Sequence, residues 1–166
     1  FNLISGLIYF YCLCLSLRFL FQYMSVDFNN RISQLILQIT SPMLIYCRRL
    51  IPGYFGLDLA NLSLTYLLLF LITIIKVFSL SNPLSIFIAM ILTLKVHLFI
   101  FLDIFFYSAL IYVALSWLFL FGLVHPHPYP PIALIIEQLI NPILNKIRSY
   151  IPSVSGLDLS VLVLIS

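Results

Sequence analysis

The sequence predicts an all-α membrane protein built as a tandem parallel repeat. Each copy should consist of a transmembrane (TM) helix, a proline-broken amphipathic interfacial helix and a second TM helix, giving about four TM helices. Three observations support this fold class. The composition is very apolar, the apolar residues form long runs, and scarce residue types recur 100 positions apart.

The composition indicates that most of the protein surface faces lipid. Of 166 residues, 63% are hydrophobic and 8% are charged, and the mean hydropathy is +1.19. A soluble domain has about a quarter charged residues, which this chain could not supply to a water-exposed surface. In a bilayer only helices and closed barrels satisfy their backbone groups internally, and these runs lack the alternation of barrel strands. Helices are therefore expected.

Four apolar runs have the length of about 20 residues that a membrane span requires. They extend from Leu3 to Tyr23, from Leu57 to Phe78, roughly from Leu98 to Val124, and onward from Leu157. Arg18 lies toward the end of the first run, and no small-residue cleavage site follows it. We therefore expect a span there and not a cleaved signal peptide.

An amphipathic segment separates the first two runs, and another separates the last two. In each, a capping-type residue precedes a proline, Pro42 or Pro142, and such a pair is favoured where a helix restarts. The second piece should end before Pro52 or Pro152, because a residue that precedes proline avoids the α conformation. We expect bent, two-piece helices in the membrane interface. The apolar positions of the first segment are Ile32, Leu35, Ile36, Ile39, Met43, Cys47 and Leu50.

Residues 100 positions apart match at scarce residue types, which indicates an internal duplication. We divide the chain into a first repeat (1–78), an interfacial connector (79–97) and a second repeat (98–166), with further residues expected beyond both ends. The matched pairs include Gln38 and Gln138, Pro42 and Pro142, Arg48 and Arg148, Pro52 and Pro152, Gly56 and Gly156, and Asp58 and Asp158.

Basic residues concentrate in the two repeat loops, 25–56 and 125–156. The positive-inside rule therefore places both loops in the cytoplasm. Two loops on one side require an even number of crossings between them, so residues 83–96 should lie along the opposite interface. A fifth crossing at 83–96 is the alternative.

The motif from Pro42 to Pro52, followed by Gly56-Leu-Asp-Leu59, resembles the signature of the YggT family of bacterial and plastid membrane proteins. A second copy extends from Gln138 to Ser160, so the resemblance covers almost the whole chain. The second copy has Ser149 where family members usually keep another arginine, so the equivalent Arg49 is expected to matter less.

The resemblance implies an integral protein of the bacterial inner (plasma) membrane, with a plastid membrane less favoured. Members of the family are linked to osmotic or ion tolerance, to envelope or division organisation, and in plastids to cofactor assembly of cytochrome complexes.

Two ionisable pairs recur in register, Arg48 with Asp58 and Arg148 with Asp158. Each pair joins a cation at the end of one helix to an anion at the start of the next. We interpret them as structural hinges, with direct contact to a ligand, ion or partner as the alternative. The predicted turn residues are Pro42, Pro52, Gly56, Pro142, Pro152 and Gly156.

Four further ionisable residues form a candidate intramembrane polar site, because charge is costly near hydrocarbon. They are Arg18, Lys95, His97 and Asp103. Asp103 has Lys95 or His97 as candidate partners, or it faces a proton or cation path. The alternative is that all four reach the interfaces by snorkelling.

No metal site, cofactor or catalytic motif is expected. His125 and His127 lie in a stiff proline-rich connector, and the three cysteines have no metal-ligand spacing. The sequence contains no nucleotide-binding, zinc-protease or nucleophile-elbow motif. The net charge of +3 is scattered, which argues against nucleic acid and favours anionic lipid headgroups.

The sequence therefore favours a non-enzymatic membrane scaffold, assembly or envelope-organisation protein that docks a partner protein or forms a homo-oligomer. An ion transporter or channel subunit acting as an oligomer is the alternative.

Overall fold

The computed structural model describes residues 2–54, 56–78, 85–123 and 130–148. These residues form an all-helical structure, in agreement with the predicted class, and contain no strand beyond one isolated bridge between Tyr54 and Leu57. The helices are α1 (Asn2–Tyr23), α2 (Arg31–Leu50), α3 (Leu59–Phe78), α4 (Ser85–Leu120) and α5 (Pro131–Arg148).

Within the described residues, three helices are long and apolar enough to cross a membrane. These segments are Leu3–Tyr23, Leu59–Phe78 and Ile86–Phe119. The first two match predicted runs, except that the second begins two residues later. The predicted fourth run, from Leu157 onward, lies outside the described residues.

The prediction that a separate interfacial connector precedes a span at Leu98 is wrong over the described residues. Residues 85–97 and 98–120 belong to one continuous helix, α4. The segment contains neither glycine nor proline, so nothing in its backbone interrupts the helix. Its 36 residues extend over about 54 Å, against about 30 Å for the hydrocarbon core of a bilayer.

Gly122 ends α4. Its backbone φ is +66°, a conformation that favours glycine. The Gly122 N–H donates to the Phe119 carbonyl at 3.1 Å, and the Leu123 N–H donates to the Leu118 carbonyl at 3.0 Å. These are the two hydrogen bonds of a Schellman motif, which satisfies the last carbonyl groups of the helix.

The predicted restart of α2 at Pro42 is also wrong. The helix is continuous from Arg31 to Leu50 with Pro42 inside it, and Asn30 caps its start by accepting the Ile32 N–H at 3.0 Å. A proline inside a helix costs about 3 kcal/mol. Burial of one face on both sides of the proline offsets this cost.

The predicted restart of a helix at Pro142 is wrong as well. The helix α5 begins at Pro131 and runs through Pro142 without a break. Proline is favoured at a first helical position, where its missing N–H has no helical partner to lose. The helix α2 ends before Pro52 as predicted, with its cap residue Ile51 in an extended conformation.

Two clusters pack α2 and α5 against the other helices. Leu44 of α2 is buried against Leu15 of α1 and Leu64 of α3. Ile140 of α5 is buried against Ala109 of α4. A third cluster joins α1, α2, α4, α5 and the α1–α2 loop, and its buried members are Leu20, Phe21, Val26, Ile36, Ile104, Ile135 and Leu139.

Candidate functional site

The structure brings Arg48 and Asp58 together where α2 leads into α3. The Arg48 Nη2 lies 2.5 Å from the Asp58 Oδ2, and the Arg48 Nε donates to the same oxygen at 3.2 Å. The aspartate side chain is 5% exposed and the arginine side chain is 44% exposed. The charge pair therefore closes the turn with its acidic member inside the protein.

Asp58 also caps α3. Its Oδ1 accepts the backbone N–H of Asn61 at 3.2 Å, while its Oδ2 holds Arg48. A carboxylate at this position satisfies a free N–H of the first turn and complements the helix dipole. Both carboxylate oxygens of Asp58 are therefore engaged, one by a side chain and one by the backbone.

Two glycines shape the turn before Asp58. Gly56 has a φ of +77°, which other residues rarely adopt. A Cβ at Gly53 would lie 3.2 Å from the carbonyl oxygen of Leu57. Gly56 was predicted because it recurs in the second copy as Gly156. Gly53 was not predicted, because the residue 100 positions later is Ser153.

Arg18 is buried inside the protein, 7% exposed, on the face of α1 that meets α2. Its Nη1 donates to the Thr40 Oγ1 at 2.8 Å and to the Ser41 Oγ at 3.0 Å. A snorkelling arginine would reach a water interface, whereas this guanidinium is held by α2. Neither hydroxyl partner was predicted, because only the packing of α2 on α1 shows which polar residues of α2 face inward.

The other members of the predicted polar site are not brought together. The Lys95 Nζ lies 5.7 Å from the centre of the Phe99 ring. His97 stacks on other rings, and Asp103 is exposed. Within the described part of the chain, neither predicted partner of Asp103 pairs with it.

His97 borders an apolar cavity of about 710 Å³ between α3 and α4. Its ring stacks near Tyr66 and Phe101, with centroid separations of 6.4 and 5.2 Å. Its Nε2 is buried and has no hydrogen-bond partner among the described residues. Asp103, Tyr107 and Ser108 line a smaller cavity of about 300 Å³ between α1 and α4.

Several predicted site residues lie beyond what the structure describes. Pro152, Gly156 and Asp158 fall outside it, as do both histidines of the proline-rich connector, and for Arg148 only the backbone of α5 is described. Among the described residues, no group of three or more His, Cys, Asp or Glu side chains could hold a metal ion.

Comparison with known proteins shows the family. The CCB3/YggT family model matches residues 1–81 and again residues 91–166. The chain belongs to the CCB3/YggT family. This result confirms the resemblance found in the repeated motif, and it agrees with the apolar, membrane-type helices of the structure.

Relatives in this family match most of the chain. The Escherichia coli K12 protein named YggT is 30% identical over 165 residues, which are 98% of this chain and 81% of that protein. An uncharacterized Pseudomonas aeruginosa protein, PA0392, is 36% identical over 152 residues, 90% of this chain and 74% of that protein. A Vibrio alginolyticus protein is 35% identical over 164 residues, 98% of this chain and 85% of that protein.

No solved structure matches the chain. Because the names of these CCB3/YggT relatives state no activity, the function must be argued from the geometry of this molecule.

Proposed function

We propose that this CCB3/YggT protein is a non-enzymatic membrane scaffold or assembly factor that docks a partner membrane protein through α2. The observation that carries the proposal is an exposed apolar stripe along one face of that helix. The stripe consists of Leu35, Ile39, Met43, Tyr46 and Leu50, which are 45–83% exposed.

The exposed stripe borders a face of α2 that is already used. Ser33, Ile36, Thr40 and Leu44 are the buried residues of α2. Amphipathic helices usually bury their apolar face, and α2 leaves part of that face exposed. Its apolar residues are spaced as in helices that dock into grooves.

In the second copy, neighbouring helices cover the first two positions of the corresponding stripe. Ile135 and Leu139 of α5, which stand 100 positions after Leu35 and Ile39, are 5% and 1% exposed. They belong to the cluster that includes Leu20 of α1 and Ile104 of α4. The equivalent positions on α2, Leu35 and Ile39, therefore offer a similar apolar surface for a helix of another protein.

Hydrogen bonds tie the loop before α2 and the cap residue of α2 to α5. The backbone N–H of Asp27 donates to the Gln138 Oε1 at 2.9 Å, and the Asn30 Nδ2 donates to the Pro131 carbonyl at 2.8 Å. A docked partner would contact a helix whose start is held against α5.

The proposal includes a tandem parallel repeat in the bacterial inner membrane, with both repeat loops cytoplasmic and near anionic headgroups. Two separate matches of one family model and prolines inside both α2 and α5 support it.

Single cysteines introduced as Asn30→Cys and Ser153→Cys should react with a membrane-impermeant maleimide from the same side. Labelling from opposite sides would contradict the parallel arrangement.

Photo-crosslinking tests the docking surface. A benzoylphenylalanine placed at Met43, in the middle of the stripe, should give one discrete protein adduct in cells. The matched control is the same probe at Leu67, which is 55% exposed on the span α3 and should give lipid adducts alone.

Docking through α2 would be contradicted if the probes at Met43 and Leu67 gave equal yields of protein adduct. The absence of a protein adduct at Met43 would also contradict it. An adduct of twice the chain mass would identify a second copy as the partner. A scaffold that organises the envelope would also account for a contribution to osmotic or ion tolerance.

The second candidate function is an ion transporter or channel subunit acting as an oligomer. It rests on Asp103, an exposed carboxylate in a membrane-type helix that lines the cavity between α1 and α4. Selective ion flux in proteoliposomes that is lost in Asp103→Asn would favour this candidate over the scaffold.

A further inference from the structure

Arg18 has an unused hydrogen-bonding edge. Its Nη1 donates both hydrogens to α2, to Thr40 and to Ser41. The Nε and Nη2 groups, which carry the remaining three N–H donors, have no acceptor among the described residues. These two nitrogens form the planar fork with which arginine binds two oxygens of a carboxylate or phosphate.

The two hydroxyl partners orient Arg18 without neutralising it. The Thr40 hydroxyl donates to the Ile36 carbonyl at 2.6 Å, and the Ser41 hydroxyl donates to the Leu37 carbonyl at 2.6 Å. Their hydrogens are thereby committed to the α2 backbone, and their lone pairs face the guanidinium. A neutral acceptor pair holds the side chain in place but supplies no negative charge.

The nearby charges leave a positive excess. Arg18 lies within electrostatic range of Arg48 and Asp58. Both oxygens of Asp58 are occupied, by Arg48 and by the Asn61 N–H. Two cations and one anion sum to one positive charge, and the N-terminal end of the α3 dipole adds to it. A buried cation without a counter-ion is unfavourable, so the cluster favours an anion.

The second copy of the sequence lacks this cluster. One hundred positions later, Arg18 is replaced by Leu118, and Thr40 is replaced by the fully buried Ile140. The Arg48–Asp58 pair, in contrast, has counterparts in the second copy. The residues of the ion pair thus recur in both copies of the sequence, whereas Arg18 and Thr40 occur in the first copy alone.

A polar cavity lies next to the cluster. Gln22, one turn after Arg18 on the same face of α1, lines an open cavity of about 470 Å³ together with Arg48, Gly53, Gly56 and Asp58. Small-molecule sites commonly measure about 300–1,000 Å³. This cavity lies at the end of a membrane-type helix, where lipid headgroups would meet the protein in a bilayer.

We propose that Arg18 binds the phosphodiester of an anionic glycerophospholipid, such as phosphatidylglycerol, with its headgroup in the cavity beside Gln22 and Arg48. A free phosphate shares this chemistry, but the site lies at the end of a membrane span, which favours a lipid. The assignment rests on the proposed membrane location and not on the docking role of α2.

Binding of phosphatidylglycerol to the purified protein in detergent tests the site, with native mass spectrometry as the readout. Arg18→Leu introduces the residue of the second copy and should weaken binding at least about tenfold, as expected for loss of a bidentate charged pair. Arg18→Lys keeps the charge but loses the fork, so it should also bind more weakly. Arg49→Leu, an equal charge change at an exposed position of α2, should have no effect.

A second variant keeps the test decisive if Arg18→Leu does not fold. Thr40→Val with Ser41→Ala retains the charge and removes the two acceptors, and it should weaken binding several-fold. Wild-type binding in every folded variant, or an equal loss in Arg49→Leu, would overturn the site. Displacement of the lipid by inorganic phosphate or glycerol phosphate at equal concentration would overturn the lipid assignment. Crosslinking at Met43 reports on docking independently of these results.

Discussion

Asp58 performs two tasks that can be separated by mutation, because a different oxygen carries each. Asp58→Asn keeps an acceptor for the Asn61 N–H and removes the charge that holds Arg48. Asp58→Ala removes both. The ion pair should contribute about 1 kcal/mol, since Arg48 is 44% exposed and its attraction is screened. Loss of a helix N-cap costs about 1 kcal/mol.

We therefore expect Asp58→Asn to lower the free energy of unfolding by about 1 kcal/mol and Asp58→Ala by about 2 kcal/mol. For a chain of this size these values correspond to decreases in Tm of about 3 and 6 °C. Thermal unfolding in detergent, followed by far-UV circular dichroism, measures both. Arg49→Ala is the control and should stay near the wild-type Tm.

Equal losses in the two Asp58 variants would refute the cap. A wild-type Tm in Asp58→Asn would refute a stabilising ion pair, and a similar loss in Arg49→Ala would show that the effect is not particular to the pair.

Three further predictions follow from the backbone and from burial. Gly56→Ala should destabilise the protein by about 1 kcal/mol, because its φ is +77°, whereas Gly6→Ala inside α1 should be neutral or stabilising, as measured by thermal unfolding. Spin labels at Ile91 and Ile111 should lie about 30 Å apart by pulsed electron paramagnetic resonance if α4 is continuous, and a much shorter distance would indicate a break. Cys47 should react with maleimide in detergent before the other two cysteines, which are buried and should react after denaturation.

The membrane helices could be predicted because a span is a property of local composition. About 20 consecutive apolar residues suffice, and the run from Leu3 to Tyr23 meets that requirement. The end of α2 before Pro52 is equally local, because proline restricts the residue that precedes it. The ion pair at Asp58 is indicated by its duplication and by its place between two helices.

The predicted boundary within α4 is wrong because it rests on charge and not on the backbone. The loop charges require an even number of crossings, and residues 83–96 are assigned to the interface for that reason alone. No glycine or proline separates them from Leu98, so the helix continues. The predicted restart at Pro42 fails for a related reason: tertiary burial of Ile36 and Leu44 maintains a helix that the local signal would break.

The environment of Arg18 could not be predicted from the sequence. Thr40 and Ser41 follow it by 22 and 23 residues and belong to another helix. In the sequence they are two small polar residues beside a proline. Only the packing of α2 on α1 converts them into the acceptors of a buried guanidinium.

The continuity of α4 has a mechanical consequence. One uninterrupted rod carries α3 on its first part and α5 on its second, so a rotation imposed at one end is transmitted to the other without loss at a hinge. Over about 54 Å, a tilt of about 10° displaces the far end by about 9 Å. A tilt at the end of α4 that packs on α3 would therefore also move α5, which packs on the other part of the rod.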